Sequence, residues 1–237
     1  MKTSLQFVQS VSFPRSGFSI LAQMLLSYFS NDVQRIPDDF SANIGGDFGY
    51  CEFYNHCHVY PCTDQRVTFQ KSHDFDMKLA ISPSIQHMVL YRNPLDSIIS
   101  FYEAEIKWGN ILPSEDCESF WNLYFRKQLE YYFRFKTKWV NGMQLPNVQI
   151  FKYEDMLATP RIFLKQIVGL FQPPTPIDNE LIDRIVRHNS VTSRRDPQSF
   201  RYYTPDLQML IDEAEKNWPV TISKEWLKYN GLARLAA

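Results

Sequence analysis

The 237-residue sequence has no run of 18 apolar residues, so no helical membrane span and no membrane partner are expected. Near the N-terminus Gln6, Gln9 and Ser10 interrupt the apolar stretch that a signal peptide needs. A soluble protein of the cytoplasm is the expectation. An excess of one charge is missing too. Lys and Arg number 25 against 26 Asp and Glu, a formal net charge of −1. That balance gives no overall electrostatic case for a nucleic-acid partner. Internal repeats and low-complexity tracts are absent. Cysteine is sparse, at Cys51, Cys57, Cys62 and Cys117. Three of these sit close together with His56 and His58 among them. Their spacing matches neither C-x2-C nor H-x3-H, so ordinary thiols in a loop-rich segment are expected and no metal. A phosphatase loop is excluded as well, because Thr63 stands where Arg would have to follow Cys57.

What is present is ordinary globular composition. Hydrophobic residues make up 44% and charged residues 22%, which excludes a disordered chain. The length suits one sizeable core, and residues 1–237 are read as a single domain. Aromatics reach 15%, which points to a well-filled core or an aromatic-lined pocket. Short β-type runs alternate with longer helical ones. Strands are expected at 5–13, 67–70, 87–92 and 148–153. Helices are expected at 18–30, from Pro94 to about Trp108, at 118–140, and from about 160, 178 and 205. Residues 31–66 show no periodicity and read as a long irregular insertion. Alternating strand and helix implies parallel pairing with right-handed crossovers. The fold class is therefore α/β, a three-layer domain with a central parallel sheet flanked by helices. Ligands of such sheets bind beyond the carboxyl ends of the strands.

Two segments after strands carry candidate chemistry. Ser12-Phe13-Pro14-Arg15-Ser16-Gly17-Phe18-Ser19 lies between the first strand and first helix. Backbone N–H groups there would bind an anion, Gly17 would allow close approach, and Arg15 would add a bidentate positive charge. The alternative is a plain strand-to-helix turn with a surface Arg. No Gly-x4-Gly-Lys-Ser/Thr string occurs, which weakens an ATP- or GTP-hydrolysing reading. The second segment, Tyr91-Arg92-Asn93-Pro94-Leu95-Asp96-Ser97-Ile98-Ile99-Ser100, follows the strand HMVLY. Arg92 at the strand end and Ser100 two helical turns on would meet one anion. Otherwise Arg92 forms a structural salt bridge and Ser100 packs.

Together these segments resemble the PAPS-dependent sulfotransferase family. SFPRSGFSIL is similar to its 5′-phosphosulfate loop, and YRNPLDSIISFY to its 3′-phosphate strand–turn–helix. PAPS is 3′-phosphoadenosine 5′-phosphosulfate, and PAP is its desulfated product. Gln70-Lys71-Ser72-His73 resembles the family's Lys-x-His segment, whose His is the catalytic base. Phe151-Lys152-Tyr153-Glu154-Asp155-Met156 resembles its Tyr-Glu-Asp-Met segment, whose Tyr lies near the nucleotide. The four elements stand in the family's order over residues 12–156. A weaker fifth element, Ser193-Arg194-Arg195-Asp196, occupies the place of a basic segment that closes over the 3′-phosphate, but without its Gly. Phe18 and Ile20 stand where Thr and Trp are frequent, so Ile20 offers no ring to stack on adenine.

The resemblance implies a P-loop-like fold and transfer of a sulfuryl group from PAPS to a hydroxyl of a small-molecule acceptor, without a metal. His73, Lys71 and Arg15 would be catalytic. Arg15, Ser16, Gly17, Phe18, Ser19, Ile20, Arg92, Ser100, Tyr153, Arg194 and Arg195 would hold the nucleotide. His73 would accept the hydroxyl proton, while Lys71 and Arg15 stabilise charge on the bridging oxygen. Two other classes stay open: a nucleoside or small-molecule kinase, and a non-catalytic nucleotide-binding protein of the same fold. The acids Asp47, Glu52, Asp74, Asp76, Glu103 and Glu105 lie among Phe48, Tyr50, Phe53, Tyr54, Phe75 and Trp108. That mixture would suit a cationic acceptor, unless the acids are only solvated groups or caps.

Overall fold

The computed structural model describes residues 5–30, 48–141, 145–189 and 196–216. The chain divides into two compact units, Met1–Tyr202 and Tyr203–Ala237. The first holds a five-stranded sheet in the order β2-β3-β1-β4-β5. The strands are β1 (Val8–Ser12), β2 (Tyr50–Glu52), β3 (Phe69–Ser72), β4 (Gln86–Tyr91) and β5 (Val148–Lys152). All four neighbouring pairs run parallel. Between them run α1 (Phe18–Ser30), α2 (Pro94–Lys107), α3 (Cys117–Ser119), α4 (Arg126–Phe135), α5 (Tyr153–Ala158), α6 (Pro160–Leu170) and α7 (Asn179–His188).

β1 is the middle strand. The chain moves from it to β2 and β3 on one side, then crosses to β4 and β5 on the other. Connections from the carboxyl ends of the neighbouring strands β1 and β4 therefore leave toward opposite sides, which opens a crevice there. Every residue of β1 is buried, including Gln9, Ser10 and Ser12. A central parallel strand is normally apolar throughout. Gln9 answers by pairing across to Gln70 of β3 at 3.5 Å.

One face of the sheet packs against α1, α6 and α7, through Leu21, Leu25, Phe163, Ile167, Leu181 and Ile185. The other is covered by α2 and a helical stretch running from Cys117 to Asn141. That stretch contains α3 and α4 joined and followed by π-helical turns at Phe120–Phe125 and Lys136–Asn141. Phe13 stacks on Tyr131 and meets Tyr132 and Phe135 edge-on, at centroid distances of 5.1, 4.9 and 5.9 Å. Phe13, Tyr132 and Phe135 are fully buried, and each such ring contributes about 1.5–3 kcal/mol relative to exposure.

Helix ends follow local rules. The Asn93 side chain caps α2 by accepting from the N–H groups of Leu95 and Asp96, and Pro94 occupies the first turn. Asp178 caps α7 in the same way.

The expected strands and helices all occur, the helix at 18–30 with its expected ends and the others with shifted ones, and two elements were not expected. α5 follows β5 directly. Tyr50–Glu52, inside the segment read as irregular, forms β2 by pairing with β3. Gly49 lets the chain enter that pairing, because a Cβ there would lie 1.9 Å from the Arg66 carbonyl oxygen. Phe48 and Tyr50 are core residues rather than loop aromatics. Tertiary pairing overrode the weak local pattern here. The second unit contains α8 (Pro205–Lys216), with Pro205 and Asp206 in its first turn.

Candidate active site

The site begins in the turn after β1. The N–H of Ser16 donates to the Phe13 carbonyl at 3.3 Å. Arg15 and Gly17 both adopt left-handed backbone, with φ of 62° and 84°. Alternating backbone hands of this kind curl N–H groups into an anion-binding concavity. Gly17 is needed for space as well as conformation. A Cβ there would lie 2.3 Å from Cδ2 of Tyr153. The Tyr153 ring, at the start of α5, therefore lies against the loop.

Arg92, just past β4, stacks its guanidinium over the Tyr153 ring at 4.4 Å. Its Nη1 donates to the Arg15 carbonyl at 3.4 Å, and its Nη2 lies 3.8 Å from Asp96. Its Nε is buried with no partner among the described residues. Arg15 Nε donates to Ser100 Oγ at 3.1 Å, which joins the first segment to α2. Displaced water, then the charge of Arg92, lower the Arg15 pKa, and Glu103 opposes them. Two guanidinium groups are thus held close together, as an anionic ligand would require.

Lys71 and His73 belong to the end of β3 and the turn beyond. Pairing with β1 sets Lys71 beside Ser10 and Ser72 beside Val11. His73 Nδ1 lies 2.6 Å from the Ser12 carbonyl oxygen. A carbonyl only accepts, so Nδ1 carries the proton and Nε2 keeps its lone pair. Burial first, then the charge of Lys71, hold the His73 conjugate acid down at about 3, against an ordinary value of 6.5. The ring is therefore neutral at physiological pH. Tyr131 fixes the backbone by donating to the His73 carbonyl at 2.6 Å. Lys71 Nζ contacts the Glu52 carboxylate and sits 5.2 Å from the Phe18 ring centroid.

These groups line one cleft of about 640 Å³. Arg15, Gly17, Phe18, Ser19, Ile20, Lys71, His73, Arg92, Ser100 and Tyr153 all face it. Ser16 does not. It is fully buried under the loop, with no partner for its hydroxyl among the described residues. Arg194, Arg195 and Asp47 lie outside the described residues.

The acids divide. Glu105 lines the cleft and accepts from Asn110 at 3.0 Å. Glu52 lines it too, engaged by Lys71 and by Asn55 at 2.9 Å. Asp74 is fully buried and accepts from Lys138 at 2.6 Å, Trp139 Nε1 at 2.8 Å and the Leu79 N–H at 2.9 Å, so it is structural. Asp76 pairs with Lys78 at 3.3 Å.

Sequence reasoning missed Asn55, Phe101 and Asn110 on the cleft wall. Phe101 carried a signal, since Phe101, Glu105 and Trp108 recur at helical spacing on one side of α2. It also missed two supports of the Arg92 turn. Glu154 accepts from the Asn93 N–H at 2.9 Å, and Tyr132 donates to the Arg92 carbonyl at 3.1 Å.

The sulfotransferase domain model matches residues 10–233. The chain belongs to the sulfotransferase family. Solved structures agree on the fold. A retinol dehydratase in complex with retinol and PAP superposes with a TM-score of 0.61 at 15% identity, covering 92% of this chain and 82% of that one. Mouse sulfotransferase SULT7A1 complexed with PAP gives 0.56 at 17% identity, over 98% and 87%. A putative steroid sulphotransferase of Arabidopsis thaliana gives 0.51 at 15%, over 92% and 79%. No protein of curated function matches the sequence. The family's P-loop-like fold and general sulfuryl-transfer activity are thus those of this chain. No helix among its described residues is long and apolar enough to cross a membrane.

Proposed function

We propose that the protein transfers the sulfuryl group of PAPS to the hydroxyl of a small-molecule acceptor, giving PAP and a sulfate ester. The observation that carries this reading is convergence. Arg15, Lys71, His73, Arg92 and Ser100 come from three separate segments and face one cleft beyond the carboxyl ends of parallel strands. The neighbouring structures that hold PAP share this fold.

The chain's own groups suit the chemistry. Neutral His73, with Nε2 free, takes the proton from the acceptor oxygen as that oxygen bonds to sulfur. The bond from sulfur to the bridging oxygen breaks, and negative charge collects on the departing 5′-phosphate. Lys71 and Arg15 offset that charge, so the step needs no metal. The curled backbone at 15–17 would cradle the 5′-phosphate. Arg92 and Ser100 would take the 3′-phosphate, with Tyr153 fixing the Arg92 plane. Phe18 and Ile20 would contribute apolar contact, and Ser16 and Ser19 would bind through the loop. Arg194 and Arg195 would close over the 3′-phosphate.

The acceptor would enter between Tyr54, Phe75, Phe101 and Trp108. Glu105 is the cleft acid that could meet a cationic acceptor, since Glu52 is taken by Lys71 and Asp74 and Asp76 by other lysines. The family match across 10–233 supports treating 1–237 as one sulfotransferase domain. Four free thiols suit a reducing compartment such as the cytoplasm.

The test is a panel of cationic and neutral hydroxyl compounds incubated with PAPS, reading PAP release. Sulfation of at least one class is expected. Phosphoryl transfer from ATP in its place would establish a kinase. Nucleotide binding without turnover on any acceptor would leave a binding protein.

A further inference from the structure

Cys51, Cys57 and Cys62 do not match a metal-binding spacing, but the fold gathers them. Their three Sγ atoms all lie within 4.8 Å of one another. Cys51 Sγ is 3.1 Å from Cys57 Sγ and 3.5 Å from His56 Nδ1. A tetrahedral zinc ion has bonds of about 2.3 Å to sulfur and about 2.0–2.1 Å to nitrogen. Those lengths separate two sulfurs by about 3.8 Å and a sulfur from a nitrogen by about 3.6 Å. The Cys51–His56 distance already matches. The Cys51–Cys57 pair needs to open by under about 1 Å.

The cluster also has the outer support that metal sites use. The Gln70 side chain, projecting from β3, donates from Nε2 to Cys57 Sγ at 3.2 Å and to the Val59 carbonyl at 2.7 Å. Its Oε1 accepts from the Cys62 N–H at 2.8 Å. One buried amide thus orients two of the three cysteines. Cys51 itself is buried within β2. Three thiolates could share this space only around a cation.

The geometry points to a structural zinc site formed by Cys51, Cys57 and Cys62; His56, 3.5 Å from Cys51 but not in mutual range of all three sulfurs, would swing in as fourth ligand on binding. Binding displaces the three thiol protons to solvent and leaves neutral His56 bound through Nδ1. A disulfide would use only two of the sulfurs and would leave the third sulfur and the imidazole without a role. The ion sits outside the reacting atoms. It would close the segment that begins at Cys51 and carries Glu52, Tyr54 and Asn55 into the cleft wall. It would therefore hold the partner of Lys71 and one side of the acceptor entrance.

Cobalt substitution tests this independently of sulfuryl transfer. Protein purified under reducing conditions and stripped with a chelator is titrated with Co²⁺. Thiolate-to-cobalt charge-transfer bands and tetrahedral visible bands should saturate at one ion per chain, and Zn²⁺ should bleach them. Zn²⁺ should also raise the melting temperature. Cys51→Ser, Cys57→Ser and Cys62→Ser should each weaken the charge-transfer bands and lower Co²⁺ affinity at least tenfold. His56→Ala should change the visible bands. Cys117→Ser should behave as wild type, because that thiol lies elsewhere and donates to the Tyr202 carbonyl. Far-ultraviolet circular dichroism and a cooperative melt, measured on every variant, show which ones fold. No thiolate bands in folded protein, unchanged bands in the Cys62 variant, or a native Cys51–Cys57 disulfide in metal-free protein would overturn the proposal. Metal binding without PAP binding would uphold it and count against the nucleotide reading alone.

Discussion

Replacing Arg92 with Ala probes the nucleotide reading at its most constrained point. The Arg92 side chain is 12% exposed and sits over the Tyr153 ring. Its ties inside the protein are weak for so buried a cation. The Asp96 carboxylate is 3.8 Å away, the Arg15 carbonyl 3.4 Å, and Nε has no partner among the described residues. Buried polar groups normally find partners, so the unpaired Nε marks where a ligand oxygen would complete the set. A 3′-phosphate would supply it. Losing a charge-assisted hydrogen bond costs about 1.5–3 kcal/mol. At about 1.4 kcal/mol per tenfold, PAP should bind about 10- to 150-fold more weakly to Arg92→Ala. ADP has no 3′-phosphate, so its affinity should change little. Titration calorimetry with both nucleotides gives the ratio. Arg92→Lys should fall between, since a lysine keeps the charge but not the planar fork. The reasoning fails if PAP affinity is unchanged. It also fails if PAP and ADP weaken equally, because Arg92 would then only prop Tyr153 and the Gly17 loop.

Three further outcomes follow from the same geometry. His73→Ala should retain PAP binding and lose about 10²–10⁴-fold in turnover. Because the folded ring protonates only near 3, the wild-type rate should show no acid limb at 6.5 from this group. The unfolded chain takes up that proton near 6.5, so folded stability should decline as pH drops from there toward 3, and less steeply in the variant. Gly17→Ala should lower both the melting temperature and PAP affinity. An alanine at φ 84° costs about 1–2 kcal/mol before its methyl displaces the Tyr153 ring; an unchanged melt would refute the packing argument. Glu52→Gln should tighten PAP binding several-fold, by freeing Lys71 from its carboxylate partner; weaker binding would mean that Glu52 positions Lys71 rather than competing for it.

Much of the site was legible because each of its parts is local. A strand, a tight turn and a helix start are written in consecutive residues, and the anion groups at Arg15, Gly17, Arg92 and Ser100 sit in two such units. Lys71 and His73 were legible by their place between those units and by the family pattern. What escaped was set by pairing across the sheet. β2 is three residues long and has no pattern of its own; only its register with β3 sets Glu52 beside Lys71. The same pairing divides the acids, which composition treats as one group. Asp74 turns inward to Lys138 and Trp139 while Glu105 stays at the cleft. A sequence ranks carboxylates by count, whereas their availability depends on which cation reaches them first. For that reason the proposed nucleotide half of the cleft, built from backbone turns and two guanidinium groups, could be assembled along the chain. The proposed acceptor half is built from side chains of β2, the turn after it and α2, and it took form only when these were folded together.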